Sequence, residues 1–309
     1  MATIHDARLS PTKVQLIRRW IGAQRWYTGT ARPRLRILDS WRLDDPRGEV
    51  GIETIAVLDE SGAAPVVYQV PLTYRGAPLD GAERALVGEM EHSVLGHRWV
   101  YDAPHDLVFV TQLMALLRGR VAAQAGSVSD TVEPDVVGAP HPAWPDDPVV
   151  ASSRVLTGEQ SNTSIIVTPV PGTGAPVILK VFRTLSPGDN PDITLQGALA
   201  ASGSPFVPAS VGHVAGAWQR PDGEGRDVGQ LAFAQAVTDL RVLSITSKAF
   251  ARCVQADVRT AFAMLGSLST RLRMLVQQVE QLQVQSAPQR VGSFLLKLCP
   301  AGAGNASFM

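Results

Sequence analysis

A change of pattern near Gln235 most constrains how this chain can fold. Before that point, short apolar runs rich in β-branched residues alternate with turns rich in proline and glycine, which is typical of antiparallel strands. After it, apolar residues recur at the three- and four-residue spacing of a helix face. The sequence therefore predicts an α+β protein with small antiparallel sheets first and a long amphipathic helix last.

A small-residue loop followed by two strands predicts a phosphate-binding element. Residues 158–164 (Gly-Glu-Gln-Ser-Asn-Thr-Ser) lead into the apolar residues 165–167, and a Pro/Gly turn separates them from Val177–Phe182, which carries Lys180. Backbone N–H groups and hydroxyls of such a loop can approach phosphate oxygens, and a lysine on the following strand can neutralise them. On pattern alone, an ordinary turn beside a solvated lysine is the simpler interpretation.

The same segments resemble the bacterial maltokinase and glucosamine kinase family, which has a protein-kinase-like fold. The likeness rests on residues 158–164, 178–183 and 187–192 (Pro-Gly-Asp-Asn-Pro-Asp), and it extends upstream. Residues 20–27 and 68–72 resemble the N-terminal cap domain of that family. In all, the resemblance covers about residues 9–235.

The resemblance implies ATP as the ligand of this region. In the family, the loop covers the phosphates, the lysine contacts them, and the strand ending near Gln235 borders the adenine ring. The implied nucleotide contacts are Gly158, Gln160, Ser161, Asn162, Thr163, Ser164, Lys180 and Gln235. The family usually carries an acidic partner for the lysine where this chain has Gln196, so Asp192 would have to substitute for it.

Composition divides the chain into four predicted regions. These are a cap domain (residues 1–130), a proline-rich linker (131–150), a nucleotide-binding lobe (151–235) and a strand followed by a long helix (236–309). The linker should be extended and semi-rigid, because its prolines can neither continue a helix nor donate to a sheet.

Within these regions the periodicity predicts individual elements. It favours an amphipathic helix over residues 11–26, an antiparallel sheet over 34–72 and an exposed helix over 82–95. The last of these carries Glu83, Glu89, Glu91 and His92, which on an exposed helix are usually solvated rather than functional. In the lobe, a helix over 193–202 and a strand over 228–235 are predicted. After the lobe, a strand over 239–245 and a helix start over 246–250 are predicted.

The tail after Gln235 predicts a dimerisation helix. The residues at a three- and four-residue spacing are Leu265, Leu268, Leu272, Leu275, Val279 and Leu282. This seam favours a homodimer, although burial against the same chain is the alternative. Residues 269–273 and 277–296 resemble the dimerisation helix of the Crp/Fnr transcription regulators. A winged helix-turn-helix does not fit into the residues that follow, so specific nucleic-acid binding is not expected.

The same tail lacks the groups that phosphoryl transfer requires. After Gln235 the carboxylate side chains are Asp239, Asp257 and Glu280, each isolated, and there is no histidine. Kinases of this type position the reactants and neutralise charge with a catalytic aspartate and with carboxylates that hold Mg²⁺. We therefore predict no catalytic residue and no metal ligand in this chain, and expect Mg²⁺ only if another lobe is supplied.

Three hypotheses about function follow. The first is an inactive member of the sugar kinase lineage, truncated or fused, which keeps the ATP side of the fold. The second is an active aminosugar or maltose kinase that a second polypeptide completes. The third is a dimeric regulatory or interaction protein that works through the C-terminal helix.

Charge and cysteine content exclude several other classes. Lysine plus arginine equals aspartate plus glutamate, 28 each, so net charge indicates neither a nucleic-acid nor a membrane partner. Cys253 and Cys299 lie far from any group with zinc-ligand spacing. The sequence opens with no leader pattern and has no apolar stretch of membrane-spanning length, so we expect a cytoplasmic protein.

Overall fold

A computed structural model describes residues 7–29, 32–142, 144, 146–158, 161–201, 207–237, 246–257, 259 and 262. The chain divides into two compact units, Met1–Asp239 and Leu240–Met309. In the described residues the fold is mixed α and β with antiparallel sheets and few helices, which confirms that part of the predicted fold class. The predicted boundaries at residues 130, 150 and 235 stay a prediction.

The first sheet, the cap sheet, has seven antiparallel strands. They are β1 (Leu9–Ser10), β2 (Leu35–Leu43), β3 (Val50–Asp59), β4 (Val66–Arg75), β5 (Leu86–His92), β6 (Gly96–Asp102) and β7 (Gln124–Ala125), in the spatial order β1-β5-β6-β4-β3-β2-β7. The antiparallel sheet predicted over residues 34–72 is confirmed as β2, β3 and β4.

The turn between β2 and β3 is fixed by the side chain of Asp45. Its carboxylate accepts hydrogen bonds from the backbone N–H groups of Arg47, Glu49 and Val50, at 2.9–3.1 Å. Gly48 has φ +68°, a conformation that favours glycine over residues with a Cβ. These turn residues therefore hold the hairpin closed.

Helix α1 (Lys13–Trp20) covers one face of the cap sheet. Thr12 begins the helix with a capping box, in which its hydroxyl accepts from the backbone N–H of Gln15 and the Gln15 side chain accepts from the backbone N–H of Thr12. Leu16, Ile17 and Trp20 are buried, as the apolar spacing predicts. The helix predicted over residues 11–26 is confirmed, although it ends at Trp20 and continues as a 3₁₀ turn, Ile21–Ala23.

The helix predicted over residues 82–95 is wrong. A short 3₁₀ turn (Glu83–Ala85) is followed by β5 and β6, which form a hairpin. A β-bulge between Leu86 and Gly88 shifts the alternation, so that the buried residues Val87 and Met90 are three apart. In the sequence, a three-residue spacing of apolar residues is also typical of one face of a helix.

The second sheet has six antiparallel strands. They are β8 (Val137–Pro140), β9 (Val150–Val155), β10 (Asn162–Pro169), β11 (Val177–Phe182), β12 (Ser210–Gln219) and β13 (Arg226–Ala236), in the order β8-β12-β13-β11-β10-β9. The predicted strands of the lobe are confirmed, and so is its helix, α3 (Pro191–Ala201). That helix begins two residues earlier than predicted because proline is favoured in a first turn.

The proline-rich segment 131–150 contributes a strand to the second sheet. β8 pairs with β12 along its whole length, from Val137 opposite Ala215 to Pro140 opposite Gly212. Proline is tolerated there because β8 is an edge strand. The part of the segment that forms β8 therefore belongs to the sheet rather than to a free connector.

Helix α2 (Leu107–Leu117) and one glutamine join the two sheets. The helix is apolar on most of its surface, and Phe109, Leu113 and Leu116 belong to a core that includes residues of both sheets. From β4, the side-chain Nε2 of Gln69 donates to the carbonyl oxygens of Phe182 (2.8 Å) and Leu231 (2.9 Å). The cap sheet is therefore fixed to the second sheet.

In the second unit the structure describes one helix, α4 (Ser247–Ala256). The Thr246 hydroxyl accepts from the backbone N–H of Ala249 at 3.2 Å, which confirms the helix start predicted there. The strand predicted at 239–245 and the helical seam from Leu265 to Leu282 lie outside the described residues.

Candidate functional site

A row of side chains crosses the second sheet on one face. Ser164 on β10 lies opposite Lys180 on β11, Lys180 lies opposite Phe233 on β13, and Phe233 lies opposite His213 on β12. Directly paired residues in a sheet point to the same face, so these side chains lie side by side. We call this face the lysine face.

Strand alternation divides the predicted nucleotide contacts between two faces. Asn162, Ser164 and Gln235 share the lysine face, whereas Thr163 points to the opposite one. There the Thr163 hydroxyl is buried and accepts a hydrogen bond from Nε of Arg183 at 2.8 Å. Thr163 therefore supports the loop from behind.

The loop before β10 is described in part. Gly158 and Ser161 are exposed, and Gln160 lies outside the described residues. Leu156 closes the base of the loop, because its backbone N–H donates to the carbonyl oxygen of Ser164 at 2.8 Å. The loop thus begins and ends beside the lysine row.

Lys180 is half-buried in the middle of the sheet. Among the ion pairs of the described side chains, none includes Lys180. A partly desolvated ammonium group is stabilised by a nearby anion. The position can therefore accommodate an anionic ligand such as a phosphate.

Gln235 occupies the lysine face near the end of β13. Gln235 pairs with Ile178 of β11 on one side and with Ser210 of β12 on the other, so its main chain lies inside the sheet. In the described part of the chain, its buried side-chain oxygen Oε1 has no hydrogen-bond partner. A contact with a ligand would use this side chain more readily than the main chain.

His213 belongs to the lysine row, and sequence reasoning did not select it. Burial lowers its pKa from the ordinary value, and the negative charge of Asp189 partly opposes that effect. The neutral imidazole is therefore favoured. The sequence did carry a signal that could have selected it, because His213 lies between Gly212 and Val214, two buried residues of an apolar strand.

A buried cluster joins the cap sheet to the loop end of the second sheet. Arg183, directly after β11, is fully buried, and its Nη2 donates to both carboxylate oxygens of Asp102 at 2.7 and 2.6 Å. Its guanidinium carbon lies 4.8 Å from the ring centroid of Trp26, a cation–π geometry. Sequence reasoning missed this cluster because its partners are distant in the chain.

Arg25 connects this cluster to the loop. Its Nη1 donates to the carbonyl oxygen of Gly158 at 2.6 Å. Burial lowers the pKa of Arg25, and the positive charge of Arg183 lowers it further, while Asp102 opposes both. A cap residue thus holds the first glycine of the predicted phosphate loop.

Within the described ranges, no three of the histidine, cysteine, aspartate and glutamate side chains come together as a metal site. None of the described helices has the length and apolar character that a bilayer crossing requires.

The first unit is thus a capped two-sheet protein with a lysine row on the second sheet. Residues 20–106 match the family model described as the maltokinase N-terminal cap domain. The match supports a relationship of this part of the chain to maltokinase-like sugar kinases.

One solved structure with a detectable likeness is titled glucosamine kinase (crystal form A). The two chains are 18% identical with a TM-score of 0.40, and the alignment covers 74% of this chain and 42% of that one. The chain therefore spans less than half the length of that protein.

Proposed function

We propose that this chain binds ATP on the lysine face and belongs to the maltokinase and glucosamine kinase lineage, without phosphorylating a sugar on its own. The observation that carries the proposal is the position of Lys180, in the centre of a sheet beside Ser164 and beside a loop that a maltokinase-type cap holds through Arg25. The expected location is the cytoplasm, where ATP is available.

Each predicted contact has a distinct role in this proposal. Lys180 neutralises phosphate oxygens, and Ser161, Asn162 and Ser164 offer donors from the loop and the start of β10. Thr163 fixes the loop from the opposite face through Arg183. Gly158 and Gln160 belong to the loop itself, and the contact by Gln160 remains a sequence prediction.

The base of the nucleotide is assigned to the far end of the lysine face. Gln235 lies on this face, and a glutamine side chain offers a donor and an acceptor that match those of adenine. Gln235→Leu should therefore weaken the binding of ATP more than the binding of free triphosphate.

The sequence supports binding rather than turnover. In related folds an acidic residue orients the lysine for reaction, and where the family usually carries it this chain has Gln196. After Gln235 the sequence holds three isolated carboxylates, Asp239, Asp257 and Glu280. Transfer from ATP depends on positioned charge, and these groups do not supply it in any described arrangement.

Binding is tested with Lys180→Ala on the purified chain by isothermal titration calorimetry with ATP. We expect the dissociation constant to rise about tenfold or more, because a charge-assisted hydrogen bond contributes about 1.5–3 kcal/mol. Arg47→Ala, an exposed cation in the β2–β3 turn, is the matched control and should leave the affinity unchanged. Equal affinity for all three proteins would contradict the proposal.

Activity is tested separately with ATP, Mg²⁺ and either glucosamine or maltose. The purified chain should form no sugar phosphate above the buffer rate. Turnover by the chain alone would favour an active kinase, and turnover that needs an added polypeptide would favour a completed two-chain enzyme.

The third hypothesis is that the C-terminal region is an interaction element. The seam from Leu265 to Leu282 supports a homodimer. Light scattering before and after deletion of residues 259–285 should show a change from dimer to monomer. If the number of subunits is the same before and after the deletion, that result would count against the dimer.

A further inference from the structure

A cavity in the cap sheet lies apart from the lysine face. Its volume is about 380 Å³, and its lining comes from α1, the β2–β3 turn and the β5–β6 hairpin, with no residue after Gly126. Small-molecule sites typically have volumes of about 300–1,000 Å³. The cavity is therefore large enough for a ligand that is not the nucleotide.

A buried polar network forms one wall of this cavity. The ammonium group of Lys13 donates to the two carboxylate oxygens of Glu53, at 2.8 and 2.7 Å, and the hydroxyl of Tyr74 donates to Glu53 at 2.8 Å. Glu53 is 5% exposed. An ammonium group has three N–H donors, so Lys13 retains one beyond the two that Glu53 accepts. The network is fixed in place before any ligand arrives.

The charges around the cavity balance. Three cationic side chains line it, Lys13, Arg42 and Arg98, and three carboxylates line it, Asp45, Glu49 and Glu53. Asp45 is largely occupied by backbone N–H groups of its own turn. The lining therefore exerts no net attraction on an anion or a cation, while it offers both hydrogen-bond donors and acceptors.

Apolar side chains also line the cavity. Leu9, Ile52, Met90 and Leu95 line the cavity together with the ring of Tyr74. A ligand that matches both kinds of wall has hydroxyl groups around its edge and C–H groups on its faces. Aromatic rings and aliphatic side chains pack against such faces, and charged side chains bind hydroxyls well.

We propose that this cavity binds an uncharged polyhydroxylated molecule of monosaccharide or disaccharide size. Hydroxyl groups of the ligand would accept from Lys13 and Arg98 and donate to Glu53, and its C–H faces would pack against Leu9 and Tyr74. The site is independent of the lysine face, and the proposal does not rest on ATP binding.

Saturation-transfer NMR on the purified full chain tests the proposal with maltose and glucose as neutral probes. Glucose 6-phosphate and glucosamine are the anionic and cationic probes. We expect saturation transfer to the neutral sugars and a dissociation constant for each charged probe at least about tenfold higher, because burying an uncompensated charge is costly. No transfer to either neutral sugar, or equal affinity for the charged probes, would overturn the proposal.

Two variants locate the binding. Leu95→Trp places a large ring at the cavity rim, where Leu95 is 45% exposed, and should abolish transfer without disturbing the buried network. Glu53→Gln removes one acceptor charge and should raise the dissociation constant about tenfold. Glu60→Gln, an exposed glutamate outside the cavity, is the matched control.

A variant on the lysine face distinguishes sugar binding in the cavity from sugar binding on the lysine face. Lys180→Ala should leave sugar binding unchanged, because Lys180 does not line the cavity. Sugar binding that survives Leu95→Trp but is lost in Lys180→Ala would place the sugar on the lysine face and would overturn the cavity assignment.

Discussion

Arg183 and Asp102 form a buried ion pair that joins the cap sheet to the second sheet. Nη2 of Arg183 lies 2.6 Å from one carboxylate oxygen of Asp102, and the two side chains are 0% and 7% exposed. The residues are 81 positions apart in the chain. The same guanidinium group also holds Thr163, directly behind the loop assigned to phosphate.

Arg183→Met should destabilise the protein by about 3–5 kcal/mol, because it leaves the carboxylate of Asp102 buried without its cation. The free energy of unfolding from urea titrations measures the effect. Arg120→Met is the matched control, since Arg120 pairs with Asp147 at 2.6 Å while the side chains are 61% and 53% exposed. The control should change stability by about 0.5 kcal/mol or less, and similar losses in both variants would contradict this prediction.

Arg25→Met should weaken ATP binding while leaving the protein folded. The side chain donates to the carbonyl oxygen of Gly158, so its loss frees the start of the loop and adds an ordering cost to nucleotide binding. We expect the dissociation constant for ATP to rise about three- to tenfold, with an unchanged thermal midpoint within about 2 °C. Arg19→Met, an exposed arginine on α1, is the control. If ATP affinity stays constant in Arg25→Met, the cap does not position the loop.

Tyr27→Phe should reduce the dependence of stability on acid pH. Burial alone would raise the pKa of Asp59, but hydrogen bonds from Tyr27 (2.6 Å) and from Ser61 (2.9 Å) outweigh it and hold that pKa below its ordinary value. The folded state then binds fewer protons than the unfolded state, whose aspartate pKa is about 3.9. This stabilisation is present above about pH 4 and is lost as the pH falls through the folded pKa.

The stability deficit of Tyr27→Phe relative to the unsubstituted protein should therefore shrink between about pH 4 and pH 2. Urea titrations over that range provide the measurement. Tyr101→Phe is the control, because the Tyr101 hydroxyl accepts from the backbone N–H of Leu79 at 2.9 Å and no carboxylate is involved. A deficit that is constant with pH in Tyr27→Phe, as in the control, would show that the hydrogen bond does not lower the pKa of Asp59.

Gly138→Ala should destabilise the junction between β8 and helix α2. The α-carbon of Gly138 lies so close to the carbonyl oxygen of Leu116 that an added Cβ would overlap it. Such overpacking costs about 1–3 kcal/mol. Gly22→Ala, where a Cβ would meet nothing within 4 Å, should be neutral or slightly stabilising. Thermal unfolding of the two variants compares them, and equal midpoints would mean that β8 moves away at little cost.

Local patterns in the sequence were sufficient to predict much of the fold. The strands that carry Ser164 and Lys180 and the helix that begins at Lys13 follow from β-branched runs, turn residues and the helical spacing of apolar residues, all of which act within a few residues. The hairpin that contains Met90 could not be predicted in the same way, because a bulge replaced its period of two with a helical spacing.

The candidate site was less predictable than the fold. Lys180 and the loop were identified by resemblance, and strand pairing then placed Ser164 beside the lysine. The roles of Arg183 and Gln69 depend on partners more than 80 residues away in the chain. Such contacts are decided by tertiary packing, for which a single sequence carries no local signal.

The pairing of β8 with β12 affects how the protein can be divided for experiments. A fragment that starts after the proline-rich segment would lack β8 and would expose the backbone donors and acceptors of β12 along the sheet margin. Unpaired edge strands of this kind pair with strands of other molecules and so promote aggregation. Biochemical work on the half that contains the second sheet is therefore best done with the cap still attached, and poor behaviour of the isolated half would reflect a missing neighbour rather than an unstable fold.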